Sequence, residues 1–162
     1  MRLGIDPGKN GAWALLDDEG RLVDADHFPL DEEGEIDAAE LYHQLGEVGP
    51  IERATVEKVG SMGATKDGRK QGMQGLFNFG LRTGAVITVL QIRGIPFDQV
   101  LPAVWKKASG VTADKKTSLR AARDLWPSAA TLLHRGLDEA RAEAALIARY
   151  GRLVSFSYRR AP

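Results

Sequence analysis

Cysteine is absent from all 162 residues. Disulfide scaffolds, thiolate zinc sites and cysteine nucleophiles are excluded together, and any metal must be held by oxygen or histidine. Behind Met1-Arg2-Leu3 there is no apolar stretch of the kind that marks a signal peptide, and the chain reads as having no apolar run of the roughly 20 residues that a membrane helix needs. A soluble, cytoplasmic protein with no membrane partner is expected. Net charge is lacking as well, because 22 basic residues balance 22 acidic ones. No overall field therefore draws the protein to nucleic acid or lipid. Internal repeats, low-complexity tracts and linkers are missing too, so one domain over 1–162 is expected. What remains is a globular composition, 43% hydrophobic and 27% charged, able to bury a core.

Balanced charge conceals a polar distribution. Between Asp17 and Glu40 stand eleven acidic residues against one basic residue, Arg21, a sector that should repel phosphate. From Ala103 to Arg123 the sign reverses, with Lys106, Lys107, Lys115, Lys116, Arg120 and Arg123 against Asp114 alone. A polyanion would be met there.

The pattern of elements is α/β. Arg2 to Asp6 reads as a short strand ending on an acid, and Pro7-Gly8-Lys9-Asn10-Gly11 as a tight turn. Ala12–Leu16 and Arg21–Phe28 complete a three-stranded meander. Apolar residues at 38, 41, 42 and 45 predict a helix, and Ala54-Thr55-Val56-Glu57 a buried strand that again ends on an acid. Lys58 to Gln74, with four glycines at 60, 63, 68 and 72, predicts a long loop. Met73–Arg93 is helical, its Gly75, Gly80 and Gly84 forming a stripe suited to a core helix or a dimer face. Ile95–Val100 reads as a strand, followed by a helical turn holding Trp105-Lys106-Lys107 and a helix over Asp114–Leu125. Leu137–Tyr150 predicts a last helix with Gly151 as its stop.

Three acids stand where chemistry is plausible. Asp6 and Glu57 end strands, and Glu143 lies among Ala140, Ala142, Ala144, Ala145, Leu146 and Ile147. A carboxylate in such surroundings needs a cation or donor to offset its desolvation. Glu139 lies four residues earlier on the same helical face, and Asp138 five earlier near the helix start. If the two strands are neighbours, these acids converge on one or two Mg²⁺ or Mn²⁺ ions, hard cations that prefer oxygen. Such ions catalyse phosphodiester hydrolysis. The plainer alternative is exposed strand-end acids and a Glu143 paired with Arg141 or Arg149.

Four segments in order, Gly4-Ile5-Asp6-Pro7-Gly8-Lys9-Asn10-Gly11-Ala12, Val56-Glu57-Lys58, Pro102-Ala103-Val104-Trp105-Lys106-Lys107 and Arg141-Ala142-Glu143-Ala144-Ala145-Leu146-Ile147-Ala148, together resemble the RuvC family of Holliday junction resolvases, in its bacteriophage-type branch. The resemblance spans residues 3–151. It implies an RNase H-like fold with a mixed five-stranded sheet flanked by helices, working as a homodimer in DNA recombination and repair, in a bacterial or phage-infected cell. The implied activity is that of a Mg²⁺- or Mn²⁺-dependent crossover junction endodeoxyribonuclease using two ions on branched DNA. By position, Asp6, Glu57 and Glu143 match the family's metal-binding catalytic acids. The family's further acid, three residues before the last, falls here on Ala140, which has no ligand atom. Asp138 or Glu139 must substitute, or the site is a triad; helical geometry favours Glu139 and the family's aspartate favours Asp138. Lys106, Lys107, Lys115 and Lys116 match lysines near the scissile phosphate, and Met62 lies where family members insert an apolar residue at the junction centre.

Two other functions fit parts of the pattern. Asp6-Pro7-Gly8-Lys9-Asn10-Gly11 also resembles the phosphate turn of actin-like and sugar-kinase-like phosphotransferases, although those need a second domain with a second turn. A non-catalytic branched-DNA-binding protein of the same fold is the other alternative, kept open by Ala140.

Overall fold

The computed structural model describes residues 1–58, 73–134 and 136–159. Met62 and most of the glycine-rich loop reading lie outside the described residues. Five strands, β1 (Arg2–Asp6), β2 (Ala12–Leu16), β3 (Leu22–His27), β4 (Arg53–Glu57) and β5 (Phe97–Val100), form one sheet in the order β3-β2-β1-β4-β5. The β1-β2-β3 meander is antiparallel, whereas β4 and β5 add parallel to β1, as expected for a mixed sheet. Among the described residues five α-helices flank it: α1 (Ala38–Glu47), α2 (Met73–Ile92), α3 (Pro102–Ser109), α4 (Lys115–Leu125) and α5 (Glu139–Arg159).

Period-two alternation decides which helix meets which face. Leu3 and Ile5 of β1, Trp13 and Leu15 of β2, and Ala54 and Val56 of β4 pack in one core with Leu41 and Leu45 of α1 and Val86, Val89 and Leu90 of α2. On the opposite face β2 contributes Ala12 and Ala14, which join α3, α4 and α5 through Trp105, Leu119 and Leu146. The in-between residues of β1 and β4, Gly4 and Thr55, lie on this second side and are small.

Small residues let α5 lie directly on the strands. A side chain added at Gly4 would run into the backbone of Ala144 and Ala148, and one at Gly151 into Thr55. Ala142, Ala144, Ala145, Leu146 and Ile147 are completely shielded from solvent. The two larger side chains alone contribute about 1.5–3 kcal/mol each by burial.

Local signals set several boundaries. Asp37 caps α1 by accepting from the backbone N–H groups of Ala39 and Glu40, and Asp114 caps α4 through Lys116 N–H. Pro102 opens α3, and Gly110 closes it in the left-handed region at φ 68°.

Two expectations need correction. Gly151 does not stop the last helix, which runs on to Arg159. The glycine is there for close contact with Thr55, so packing and not capping explains it. The helix also begins at Glu139, because Gly136–Asp138 form a preceding 3-10 turn. Second, Gln74–Ile92 is apolar enough, by length and composition, to cross a membrane, contrary to the reading that no such run exists. Scattered Asn78, Arg82 and Thr83 disguise it in the sequence. In the fold its Val86, Val89 and Leu90 are core residues, while Phe77 and Leu81 are exposed.

Gly4→Ala is expected to destabilise the protein by about 2–4 kcal/mol, since rigid backbone must move to accept the methyl group. Urea unfolding measures it, and a loss below about 0.5 kcal/mol would show that α5 does not sit against β1 as described.

Candidate active site

Parallel register sets the first two acids side by side. Ile5 pairs with Val56, so Asp6 and Glu57 are the next residues on adjacent strands, and alternation turns both toward the α5 side. Glu143 comes from α5, directly before Ala144, whose backbone with that of Ala148 crosses Gly4. Asp6 and Glu143 are 5% and 4% exposed, both inaccessible enough for mutual repulsion to matter.

Each carboxylate is held by a different kind of donor. Asp6 Oδ1 accepts from Gly8 N–H at 3.0 Å, within a turn that Gly11 N–H closes onto the Gly8 carbonyl at 2.9 Å. Glu57 Oε2 accepts from the indole N–H of Trp105 at 2.6 Å. Glu143 is the most heavily compensated: Lys106 Nζ lies 2.6 Å from Oε1, Lys115 Nζ 3.4 Å from Oε2, and the Ser118 hydroxyl donates to Oε1 at 3.3 Å. The requirement that something neutralise Glu143 is thus met by Lys106 and Lys115. The alternative pairing with Arg141 is not what forms, because Arg141 binds Asp26 on β3 at 2.6 Å.

Electrostatics follow from this crowding. Burial, reinforced by the Glu143 charge, raises the Asp6 pKa, against the opposing pull of Lys115, the Gly8 N–H and Lys106. Burial and the nearby Asp6 push Glu57 up to about 7, although the Trp105 hydrogen bond works the other way. For Lys115, burial acts to lower the pKa, but Asp6 and Glu143 outweigh it and the net shift is upward. Carboxyls that share one desolvated corner and repel one another form a site in which added positive charge is favoured.

The remaining candidates divide. Asp138 is completely buried, its Oδ1 3.5 Å from Arg141 Nη1, which links it to the β3 edge. Glu139 is partly exposed, and its charge acts on Lys115. Lys107 and Lys116 are exposed and form no ion pair among the described residues, unlike Lys106 and Lys115, which are occupied by Glu143. Trp105 and Ser118 were not singled out as site residues from the sequence. A signal for Ser118 existed, since it lies three residues after Lys115 on the same face of α4.

An all-carboxylate donor set is chemically suited to a hard divalent cation. Among the described residues no three Asp, Glu or His side chains stand close enough together to hold one ion jointly as placed. The reason is visible in the contacts, which turn Glu143 onto its lysines and Glu57 onto Trp105. Chemistry and charge fit the ion; rotation of these side chains would be needed to gather them.

Comparison with solved structures decides the fold. A Thermus thermophilus RuvC in complex with a Holliday junction substrate aligns with a TM-score of 0.63, covering 97% of this chain and 94% of that one at 18% identity. A second structure of Thermus thermophilus RuvC gives 0.60, covering 94% and 95% at 20% identity. The fold is the RuvC fold. No protein-family model and no curated protein matches the sequence, so the likeness to RuvC is one of architecture.

Glu57 carries a pH signature. Its folded pKa lies above its unfolded value, so its stabilising contribution is complete below about pH 4.5 and is lost as pH rises through about 7. In chelator, Glu57→Gln is expected to gain on the wild type across that window, by about 3 kcal/mol between pH 4.5 and 8. Urea midpoints at pH 5 and 8 test this; a difference that does not change with pH would contradict it.

Proposed function

We propose that this chain is a single-domain, structure-selective endodeoxyribonuclease of the bacteriophage RuvC type, resolving four-way (Holliday) and related branched DNA by metal-dependent phosphodiester hydrolysis. The observation that carries the proposal is the meeting of Asp6, Glu57 and Glu143 in one desolvated corner, flanked by lysines, on a RuvC fold.

Asp6, Glu57 and Glu143 would hold Mg²⁺ or Mn²⁺, with Glu139 in preference to Asp138 as an outer fourth acid. Glu139 acts on the same lysine as Asp6 and Glu143, whereas Asp138 is drawn to Arg141. Two such ions supply an activated water and stabilisation of the leaving oxygen. The chain's own contribution is positional. Trp105 orients Glu57, and Lys106, Lys115 and Ser118 orient Glu143. Without a bound ion Glu57 would keep its proton up to about pH 7, and a bound cation would displace it. Exposed Lys107 and Lys116 would contact phosphates outside the corner.

Cutting both strands of a junction requires two sites, and α2 offers a surface for a homodimer. Phe77 and Leu81 are 61% and 50% exposed, and Gly80 and Gly84 on the same helical stripe have open space where a side chain would be. A junction-bound dimer would work in the cytoplasm of a bacterial or phage-infected cell.

Asp6→Asn is expected to lower Mg²⁺-dependent cleavage of a four-way junction by at least about 10³-fold while junction affinity stays within about threefold. Cleavage retained by that variant would contradict the assignment. Binding by the wild type without any cutting would favour the non-catalytic junction binder, consistent with Ala140, and ATP turnover would favour the phosphotransferase. Lys107→Ala and Lys116→Ala should weaken binding and each reduce the slope of log K against log salt by about 1. Unchanged slopes would remove these lysines from the interface.

A further inference from the structure

Glu143 is held by a cation on the very oxygen that a metal would use. Lys106 Nζ lies 2.6 Å from Glu143 Oε1, and both side chains are largely shielded from water, at 19% and 5% exposure. The same ammonium lies 4.9 Å from the centre of the Trp105 ring, whose indole N–H donates to Glu57 Oε2 at 2.6 Å. Two consecutive residues of α3 therefore occupy oxygens of two corner acids. Lys115 adds a weaker hold on Glu143, at 3.4 Å from a half-exposed side chain. Held in this way, the acids do not converge on one point among the described residues. An ion pair this short and this shielded is a charge-assisted hydrogen bond that water hardly screens, so neither partner leaves without a replacement.

A replacement exists for each partner. A divalent cation offers Glu143 twice the charge of an ammonium and, once seated, repels that ammonium. Phosphate in turn offers the ammonium an anion. The Trp105 face keeps Lys106 near the corner when its carboxylate is withdrawn, because a cation over an aromatic ring retains part of its attraction. Exposed Lys107, the next residue, marks the side from which a polyanion is met. Each half of the pair is thus released toward its own new counter-charge, and by linkage whatever one ligand gains from the other is returned equally.

We propose that Lys106 is a resident counter-cation which a divalent ion must displace from Glu143, and that the displaced ammonium then takes a phosphate, so that metal loading and DNA binding are coupled through this one side chain. The inference rests on the reading of Asp6, Glu57 and Glu143 as a metal corner and adds its regulation: the free protein binds metal weakly, and DNA promotes loading. Calorimetric titration of the free protein with Mn²⁺ tests the first half. Loss of a merely structural contact would loosen Glu143 and weaken Mn²⁺ binding, whereas Lys106→Met is expected to strengthen it about tenfold, and the milder Lys115→Met about threefold. Lys58→Met removes an exposed lysine next to Glu57 in the chain and is expected to change Mn²⁺ affinity less than about twofold, as a screened charge does. The second half is read as the ratio of four-way junction affinities in Ca²⁺ and in chelator, by fluorescence anisotropy, which Lys106→Met is expected to lower at least about fivefold. Mn²⁺ bound no more tightly by Lys106→Met and Lys115→Met than by the wild type, a gain in Lys58→Met as large as in Lys106→Met, or an unchanged junction ratio would overturn the proposal and leave the corner a metal site. No Mn²⁺ binding by the wild type or any variant would overturn it together with the nuclease reading.

Discussion

Contact between α5 and the central strands without intervening side chains is the constraint on which the rest depends. Gly4 on β1 and Gly151 on α5 leave no room for a methyl group, and the alanines of α5 complete the contact. A helix resting on large side chains would stand about 10 Å from a sheet. Here the closer seat carries Glu143 down beside Asp6, and parallel pairing of β1 with β4 brings Glu57 to the same end. The carboxylate corner is therefore a product of side-chain size on one face of the sheet. The other face bears Leu3, Ile5, Trp13 and Leu15 and takes α1 and α2.

Bringing three acids together has an electrostatic cost that α3 and α4 offset. Lys106 and Lys115 are placed on Glu143 by two helices that follow β5, and Trp105 satisfies Glu57 from the same turn as Lys106. The compensation is incomplete, since both Asp6 and Glu57 are shifted toward protonation. A corner under-compensated in this way favours an incoming cation, which is the physical basis of the proposed hydrolytic chemistry. Under the proposed function, the acidic sector between residues 17 and 40 would repel phosphate, and the exposed Lys107 and Lys116 would meet it near the corner.

Much of this architecture was legible in the sequence because the signals are local. The strand-ending acids, the turn formers from Pro7 to Gly11 and the helical spacing at 38, 41, 42 and 45 each show in a few adjacent residues, and the mixed five-stranded sheet follows the plan that the resemblance implied. Asp6 and Glu57 stood out as acids at strand ends, and Glu143 as a charge among alanines. Three things depended on distant contacts and were not legible. Gly151 looks like a helix stop until Thr55 is placed against it. The partners of Glu143 come from α3 and α4, so the sequence offered its near neighbours Arg141 and Arg149 instead. Asp138 and Glu139 are adjacent in the chain, and only their different partners, Arg141 for one and the Lys115 field for the other, separate them.

The most direct measurement is anomalous diffraction from crystals soaked in Mn²⁺. The account predicts Mn²⁺ bound between the carboxylates of Asp6, Glu57 and Glu143, with Glu143 turned away from Lys106. Mn²⁺ held only at Asp138 and Glu139, or no ion in the corner at saturating concentration, would contradict it.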